Sequence, residues 1–547
     1  MGTKQGKAAE KNKVYDISEV TEFFGRFQKM QFLYCCLPAI FVTMININYV
    51  FTVGDVNYRC RIPECDGNQS EYSQPWWPGS VDRCSRPVLE ESWSGTCSNT
   101  SFTGAVEKCS SWVYESNNTV VAELDLACQP WKSNLVGTVH SAGMVLSMTI
   151  AGWMSDKFGR KPTLVICSIG GILGHLKTFV TAYYQYIIIE FCEAAITGGT
   201  YSAAMVIMIE SSGKNQRVLA GVVFAYAIYV GEAIFACIAM VSSYWKTLIR
   251  IICSPPILFL SYTYLMRESP RWQILNNKIE QAKETLLLIA DTNKLNIDRS
   301  DFINIDETKL KNKFNLGAYE KKESWKRVFT SREIWKRLLV LMTCRFTASF
   351  VYYGLMVNSV WLPGDKYTNF LLATVMSFPG ELVALVLMNK CGRRLPLMYG
   401  YILCGALCIG SACVPEDAVW AKITLFLLGK MFIAACFTGA VTYTMELFPT
   451  NARGTLMGLC SFMSRVGGML APITPILTPI HPALPACFFS GAAFLSGICL
   501  LFTPETRNLP LMDTVDQVEV SVKQAKQEKK GQGNENPGFE DTAVTSL

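Results

Sequence analysis

Gly152-Trp153-Met154-Ser155-Asp156-Lys157-Phe158-Gly159-Arg160-Lys161 lies between two apolar runs, and Asn389-Lys390-Cys391-Gly392-Arg393-Arg394 lies between two others. A second pair, Glu210 with Arg217 and Glu446 with Arg453, recurs at nearly the same offset and with identical internal spacing. The repeat predicts a duplicated membrane bundle. Two like halves that rock against each other around a midplane site are the physical basis of alternating access, so transport is the expectation before any solute is considered.

Half of the 547 residues are hydrophobic and only 17% are charged, more apolar surface than a soluble domain normally hides. The formal net charge of +6 does not point to nucleic acid, because Lys and Arg cluster in short loops and tails instead of on one basic face. Runs near spanning length fall at 30–51, 134–154, 163–183, 186–209, 218–242 and 246–266. Six more fall at 337–359, 368–389, 396–415, 419–441, 455–476 and 484–503. The predicted fold is all-α, twelve transmembrane helices in two six-helix pseudo-repeats. The predicted organisation is a segment 1–29, a first half 30–266, a charged loop 267–336, a second half 337–503 and a disordered tail 504–547. Lys4, Lys7, Lys11, Lys13, Arg26 and Lys29 before the first span, with Lys157, Arg160 and Lys161 in the second loop, predict cytoplasmic termini. The first run is too long for a removable signal peptide and lacks a small-residue cleavage site.

Residues 52–133 hold Cys60, Cys65, Cys84, Cys97, Cys109 and Cys128, with glycosylation sequons at Asn68, Asn99 and Asn117. Disulfides and glycans both need the extracellular side, where the charge rule independently puts this loop. Which cysteine pairs with which stays open, and the loop reads equally as a stabilising cap. In the charged loop, Ile274 to Ala290 carries apolar residues at helical spacing, which predicts short amphipathic helices beneath the bundle. The chain given ends Thr545-Ser546-Leu547, a pattern that a PDZ groove pairs as an added strand. In the repeated motif, Asp156, Gly159, Arg160 and Lys161, with Glu210 and Arg217, form one expected gating latch. Gly392, Arg393 and Arg394, with Glu446 and Arg453, form the other. Asn389 puts an amide where the first copy has Asp156, so the second latch is expected to be weaker or differently partnered.

The stretch Gly152 to Lys161 resembles the signature of the major facilitator superfamily. Asp125-Leu126-Ala127-Cys128, Arg267-Glu268-Ser269-Pro270-Arg271-Trp272, Glu446-Leu447-Phe448-Pro449-Thr450 and Pro504-Glu505-Thr506 resemble the organic cation, anion and zwitterion transporters, solute carrier family 22. The likeness covers nearly the whole chain. It implies a plasma-membrane carrier of small organic ions.

Ionisable residues at bilayer depth are costly unless they face a wet cavity or a partner, so each is a site candidate. The resemblance sorts them. Cation carriers of the family carry an Asp at the place of Arg465, whereas anion and carnitine carriers carry an Arg that can grip a carboxylate. Glu381 stands where an anion carrier has Lys, and cation carriers place their acid four positions earlier, at Ser377. Lys430 matches the anion and carnitine branches. Arg345 replaces a family tryptophan and Glu232 an apolar residue, and the two are expected to neutralise each other. Glu190 and Glu193 are expected to line a negative outer vestibule. His140 reads as a hydrogen-bonded core residue. Tyr352 and Tyr353 match the anion-carrier pattern, and Tyr201 occupies a family tryptophan position; such rings can hold an apolar body or a quaternary ammonium.

Both signs together predict a zwitterion of the carnitine, betaine or β-alanine kind, its carboxylate held by Arg465 and its amine or trimethylammonium by Glu381 or Glu232 with the tyrosines. An organic anion exchanger using Arg465, Arg345 and Lys430 is the rival reading, followed by a cation uniporter or a non-transporting sensor. The sequence has no Gly-x-x-x-x-Gly-Lys-Ser/Thr loop and no His/Cys metal constellation. No cofactor and no enzymatic step are expected; a coupling ion or counter-substrate is.

Overall fold

The fold was read from a computed structural model, which describes residues 17–506, except 68–70, 80, 91–94, 214–215, 298, 300–304, 315–329, 416, 450–451 and 479, together with residues 515–520. Among the described residues, twelve helices are long and apolar enough to cross a membrane. The first six are α1 (Arg26–Thr52), α2 (Pro130–Phe158), α3 (Arg160–Phe179), α4 (Tyr183–Glu210), α5 (Leu219–Val241) and α6 (Trp245–Leu265). The second six are α7 (Arg332–Trp361), α8 (Lys366–Cys391), α9 (Arg394–Cys413), α10 (Val419–Leu447), α11 (Arg453–Leu477) and α12 (Leu484–Phe502). Helices dominate because hydrocarbon offers the backbone no hydrogen-bond partner, so each span must satisfy its own N–H and C=O groups.

Without a strong hydrophobic drive between helices in lipid, close approach at small residues holds such bundles together. Gly467 of α11 packs directly on the backbone of α7 at Phe346, and Gly380 of α8 on the Met431 carbonyl of α10. The two six-helix groups meet along α2 and α11. Gly137 abuts Pro472, Ser141 Oγ donates to the Gly468 carbonyl at 3.4 Å, and Arg465 reaches Met148 Sδ at 3.1 Å. They meet again where α1, α5 and α8 bring Phe51, Phe235, Tyr367 and Phe370 into one aromatic cluster, with ring centroids 4.9–6.4 Å apart. These seams run from the end bearing the cysteine-rich loop to the middle of the bundle. At the opposite end Asp156, close to the end of α2, keeps 78% of its side chain exposed.

The loop between α1 and α2 contains two antiparallel ribbons, β1 (Tyr58–Cys60) with β4 (Trp112–Tyr114) and β2 (Ser85–Leu89) with β3 (Phe102–Lys108). Three disulfides join Cys60 to Cys109, Cys65 to Cys97 and Cys84 to Cys128, one of the fifteen pairings six cysteines allow. Arg59 is buried in a pair with Asp66 at 2.5 Å and lies over Trp76 and Trp77. Val120, Val121 and Leu126 sink into the first-half core, and Trp245 Nε1 of α6 donates to Glu123 at 2.8 Å. The loop is thereby seated on the first half. Asn99 and Asn117 are exposed; Asn68 lies outside the described residues.

The charged segment after α6 forms helices Pro270–Leu275, Ile279–Asn293 and Glu307–Lys313. They bury Ile274, Leu286, Ile289 and Leu310 against Val20. Asn293 then caps α1, accepting from Phe27 N at 2.9 Å and donating to Gln28 at 2.9 Å. The tail departs from the expectation of disorder over 504–547. Residues 515–520 are helical, Val515 and Val518 are buried in the second-half core, and Ser331 Oγ donates to Glu519 at 2.6 Å. An apolar pair three apart on one helical turn finds a complementary surface, which a reading based on the polar surroundings overlooked. Thr545 to Leu547 lie outside the described residues.

Gly467→Val should prise α11 from α7 and, at an overpacking cost of about 1–3 kcal/mol, lower the melting temperature of the purified protein by a few degrees. Calorimetry or a thiol-reactive melting assay in detergent checks this; an unchanged transition would refute the packing role.

Candidate functional site

Each copy of the repeated motif folds into the same device. In the first, the Arg160 guanidinium donates to the Ser155 carbonyl at 2.7 Å, to Asp156 at 3.0 Å and to Glu210 at 3.3 Å. The Glu268 carboxylate meanwhile accepts from the backbone N–H groups of Arg160 at 3.1 Å, Lys161 at 3.2 Å and Ser269 at 2.9 Å. It caps the N-terminus of α3, where unsatisfied amides favour an anion. Gly159, at φ +118°, passes so close to this carboxylate that a side chain would collide with it. Burial pushes the Glu268 carboxyl up, against those amide bonds.

In the second copy Arg393 Nε meets both oxygens of Glu446 at 3.1 Å. Glu505 accepts from Arg393 N at 2.7 Å and Arg394 N at 3.0 Å, with Gly392 at φ +96° against it. Lys161 and Arg394 tie down the ends of α6 and α12 through the carbonyls of Thr263 and Leu501. Arg453 donates to the Phe448 carbonyl at 3.2 Å; the Arg217 side chain lies outside the described residues. These bonds are made inside each half. Glu268 and Glu505 were absent from the expected gating set, although their place at the end of each six-helix group was a readable signal.

Toward the middle of the bundle, the structure brings several of the predicted charges together and separates others. Arg465 is half-buried, and no carboxylate among the described residues forms an ion pair with it. Tyr201 and Tyr353 lie within its electrostatic reach. Tyr201 receives a hydrogen bond from Asn46 at 2.8 Å and shares one with Thr43 at 2.9 Å. Across the interior, Glu381 is fully buried without a cationic partner among the described residues. Its Oε2 accepts from Thr438 at 2.7 Å and Tyr229 at 3.4 Å, while its Oε1 has no hydrogen bond. Three rings, Tyr226, Tyr229 and Phe378, stand beside it with centroids 5.4–6.4 Å apart.

Lys430 is otherwise engaged. Its ammonium sits 3.1 Å from the centroid of the Tyr352 ring and donates to the Tyr352 carbonyl at 3.0 Å, while the Tyr352 hydroxyl donates to Glu232 at 3.3 Å. Lys430 and Glu232 thus compensate each other across one tyrosine. The expected pair of Arg345 with Glu232 does not form: Arg345 donates to the Phe437 carbonyl at 3.5 Å and lies over the Phe437 ring. Glu232 is instead turned to Tyr352 and Lys430, and the Phe437 carbonyl and ring receive the guanidinium.

Glu190 and Glu193 do not line a vestibule. Both are fully buried, because Lys177 of α3, which the candidate set missed, lies between them at 2.9 Å from Glu190 and in closer contact with Glu193. His140 bonds Glu190 at 2.7 Å and Asn46 at 3.1 Å. Lys177 was legible as a charge inside an apolar run, but only packing of α3 on α4 shows that it answers two acids.

The sequence model of the "Sugar (and other) transporter" family matches residues 96–516. The "Organic cation transporter protein" of Drosophila melanogaster is 30% identical over 511 residues, covering 91% of this chain and 92% of that protein. "Solute carrier family 22 member 6-A" of Xenopus laevis is 27% identical over 94% of this chain and 95% of its own length. The inward-open xylose transporter XylE of E. coli superposes with a TM-score of 0.58 at 13% identity, covering 89% of this chain and 98% of that one.

Lys430→Met should leave Glu232 as an uncompensated buried charge and cost about 3–5 kcal/mol, reducing the folded fraction sharply. Lys430→Met combined with Glu232→Gln should recover it. Size-exclusion profiles of tagged variants read the outcome, and a double variant no better than the single one would contradict the compensation.

Proposed function

We propose that this chain, which belongs to solute carrier family 22 of the major facilitator superfamily, carries small zwitterions with an amine and a carboxylate at opposite ends. That it is a multi-pass membrane transporter of this type follows from the family and the twelve spans. One observation carries the finer reading: near the middle of the bundle Glu381 has no cationic partner and no hydrogen bond at Oε1, and Arg465, unlike Arg345 with its carbonyl and ring, has only a thioether as hydrogen-bond partner among the described residues. A buried charge without a partner is expensive, and a visiting ion of opposite sign removes the expense.

In this reading Arg465 grips the carboxylate with two parallel hydrogen bonds, helped by Tyr201 and Tyr353. The free Glu381 Oε1 receives the ammonium, and Tyr226, Tyr229 and Phe378 offer ring faces to its substituents. Lys430 and Arg345 are held by Tyr352 and Phe437, which speaks against a pocket of three free cations for a simple anion. The loops carry out the rest: the cysteine-rich loop faces the exterior, both termini face the cytoplasm, and the protein resides in the plasma membrane. The contacts between halves at the cysteine-loop end, with Asp156 exposed at the other, support an inward-facing conformation. Binding lowers the cost of bringing the two unpaired charges into a closed interior, so the loaded carrier passes through the occluded state more readily than the empty one. Glu268 and Glu505 keep each motif turn rigid while the halves move.

Uptake of labelled L-carnitine, para-aminohippurate and tetraethylammonium by expressing cells tests the reading. Carnitine should be carried saturably. Glu381→Gln should raise its KM about tenfold, the equivalent of ~1.4 kcal/mol, and Arg465→Asp should shift preference toward tetraethylammonium. Equal handling of all three compounds by the variants and the parent would overturn the assignment.

A further inference from the structure

The cluster of Lys177, Glu190, Glu193 and His140 has no part in holding the cargo, yet it touches the cargo site. Five spans converge on it. Asn46 and Tyr49 face it from α1, His140 from α2, Lys177 from α3, Tyr186, Glu190 and Glu193 from α4, and Cys253 from α6. Lys177, Glu190 and Glu193 are each 0% exposed and His140 is 2% exposed.

Two independent features ask for one more proton than the ordinary forms of these groups supply. The first is charge: one ammonium against two carboxylates leaves a net negative charge buried in the bundle, a costly arrangement that an imidazolium would cancel. The second is hydrogen bonding. His140 Nδ1 faces the Glu190 carboxylate, which can only accept, and Nε2 faces the Asn46 side-chain oxygen, which also only accepts. A neutral ring has one N–H and cannot serve both.

We propose that this cluster takes up a proton at His140 from the outer side as the cargo boards, still holds it in the present conformation, and releases it to the inner side once the cargo has left, so that transport is proton-coupled. The link to cargo is the amide of Asn46. With His140 doubly protonated, Asn46 gives its oxygen to Nε2 and its NH₂ to Tyr201, leaving the Tyr201 hydroxyl hydrogen for Thr43 or for a ligand on the Arg465 side. Loss of the Nε2 proton obliges the amide to turn its NH₂ to the ring and its oxygen to Tyr201, which must then donate inward to Asn46. A carboxylate held by Arg465 therefore gains the Tyr201 hydrogen only when the proton is aboard. The only bond made and broken is an N–H of His140: the ring takes its proton from water on the outer side and returns it to water on the inner side, so one proton moves with each cargo molecule.

The proposal rests on the zwitterion reading for its cargo, and the experiment separates the two. Proteoliposomes of the full chain, enclosing a pH-sensitive dye, are given labelled L-carnitine with about pH 6.5 outside and about pH 7.5 inside, with the membrane potential clamped. A one-to-one symport should accumulate carnitine by up to about tenfold per pH unit and acidify the lumen only when carnitine is present. His140→Gln should abolish the acidification and the accumulation. His140→Gln with Glu193→Gln restores neutrality, and should equilibrate carnitine without responding to the gradient. Carnitine uptake that ignores the gradient, or a double variant that still accumulates, would overturn the proposal. If carnitine is not carried at all, the cargo reading fails alone, and ¹⁵N-histidine spectra decide the proton: an imidazolium signal at about pH 7.5 that vanishes in His140→Gln supports it, and a neutral ring refutes it.

Discussion

Charge compensation in a medium that cannot solvate charge is the constraint on which this architecture depends. Most of the buried ionisable groups described in the spans find an answer, and the bundle supplies several kinds. Lys177 answers two glutamates directly, Lys430 answers Glu232 through a tyrosine, and Arg345 leans on a carbonyl and a ring. Arg465 and Glu381 are left over. In a structure where such care is taken with the others, the two exceptions mark where something from outside completes the balance.

The same economy shapes the ends of the helices. Each half closes its motif turn with a carboxylate laid on backbone amides, Glu268 in one and Glu505 in the other, and places a glycine of positive φ where that carboxylate comes closest. An arginine next to the glycine then reaches an acid on the fourth helix of its own half, Glu210 or Glu446. The second copy replaces Asp156 with Asn389, and its arginine compensates by meeting Glu446 through both oxygens. These ties make each half a stiff body, which a carrier needs if motion is to be confined to the seam between halves.

The seam itself is built differently. Along α2 and α11 it uses glycine, proline and serine, and near the cysteine-rich loop it uses aromatic rings. Where charged groups reach across, they do so through neutral ones, Arg465 on Met148, Glu232 on Tyr352 and Glu381 on Tyr229, and no direct ion pair among the described residues joins the halves, so these contacts can be broken and remade at modest cost compared with an ion pair in hydrocarbon.

Much of this was legible in the order of residues alone. The repeated Gly-Arg motifs and the spacing of apolar runs determined the twelve spans and their two-fold grouping, because spanning length and backbone self-satisfaction leave a membrane chain few alternatives. Arg465 and Glu381 stood out as charges in apolar runs for the same reason. Which charge answers which was decided only by tertiary packing. Lys177 joins Glu190 and Glu193, Glu232 turns to Tyr352 and Lys430 instead of Arg345, and residues 515–520 find a groove, because helix rotation and neighbour identity depend on all the spans at once. A pairing in space has no local sequence signature, whereas the cost of an unpaired charge does.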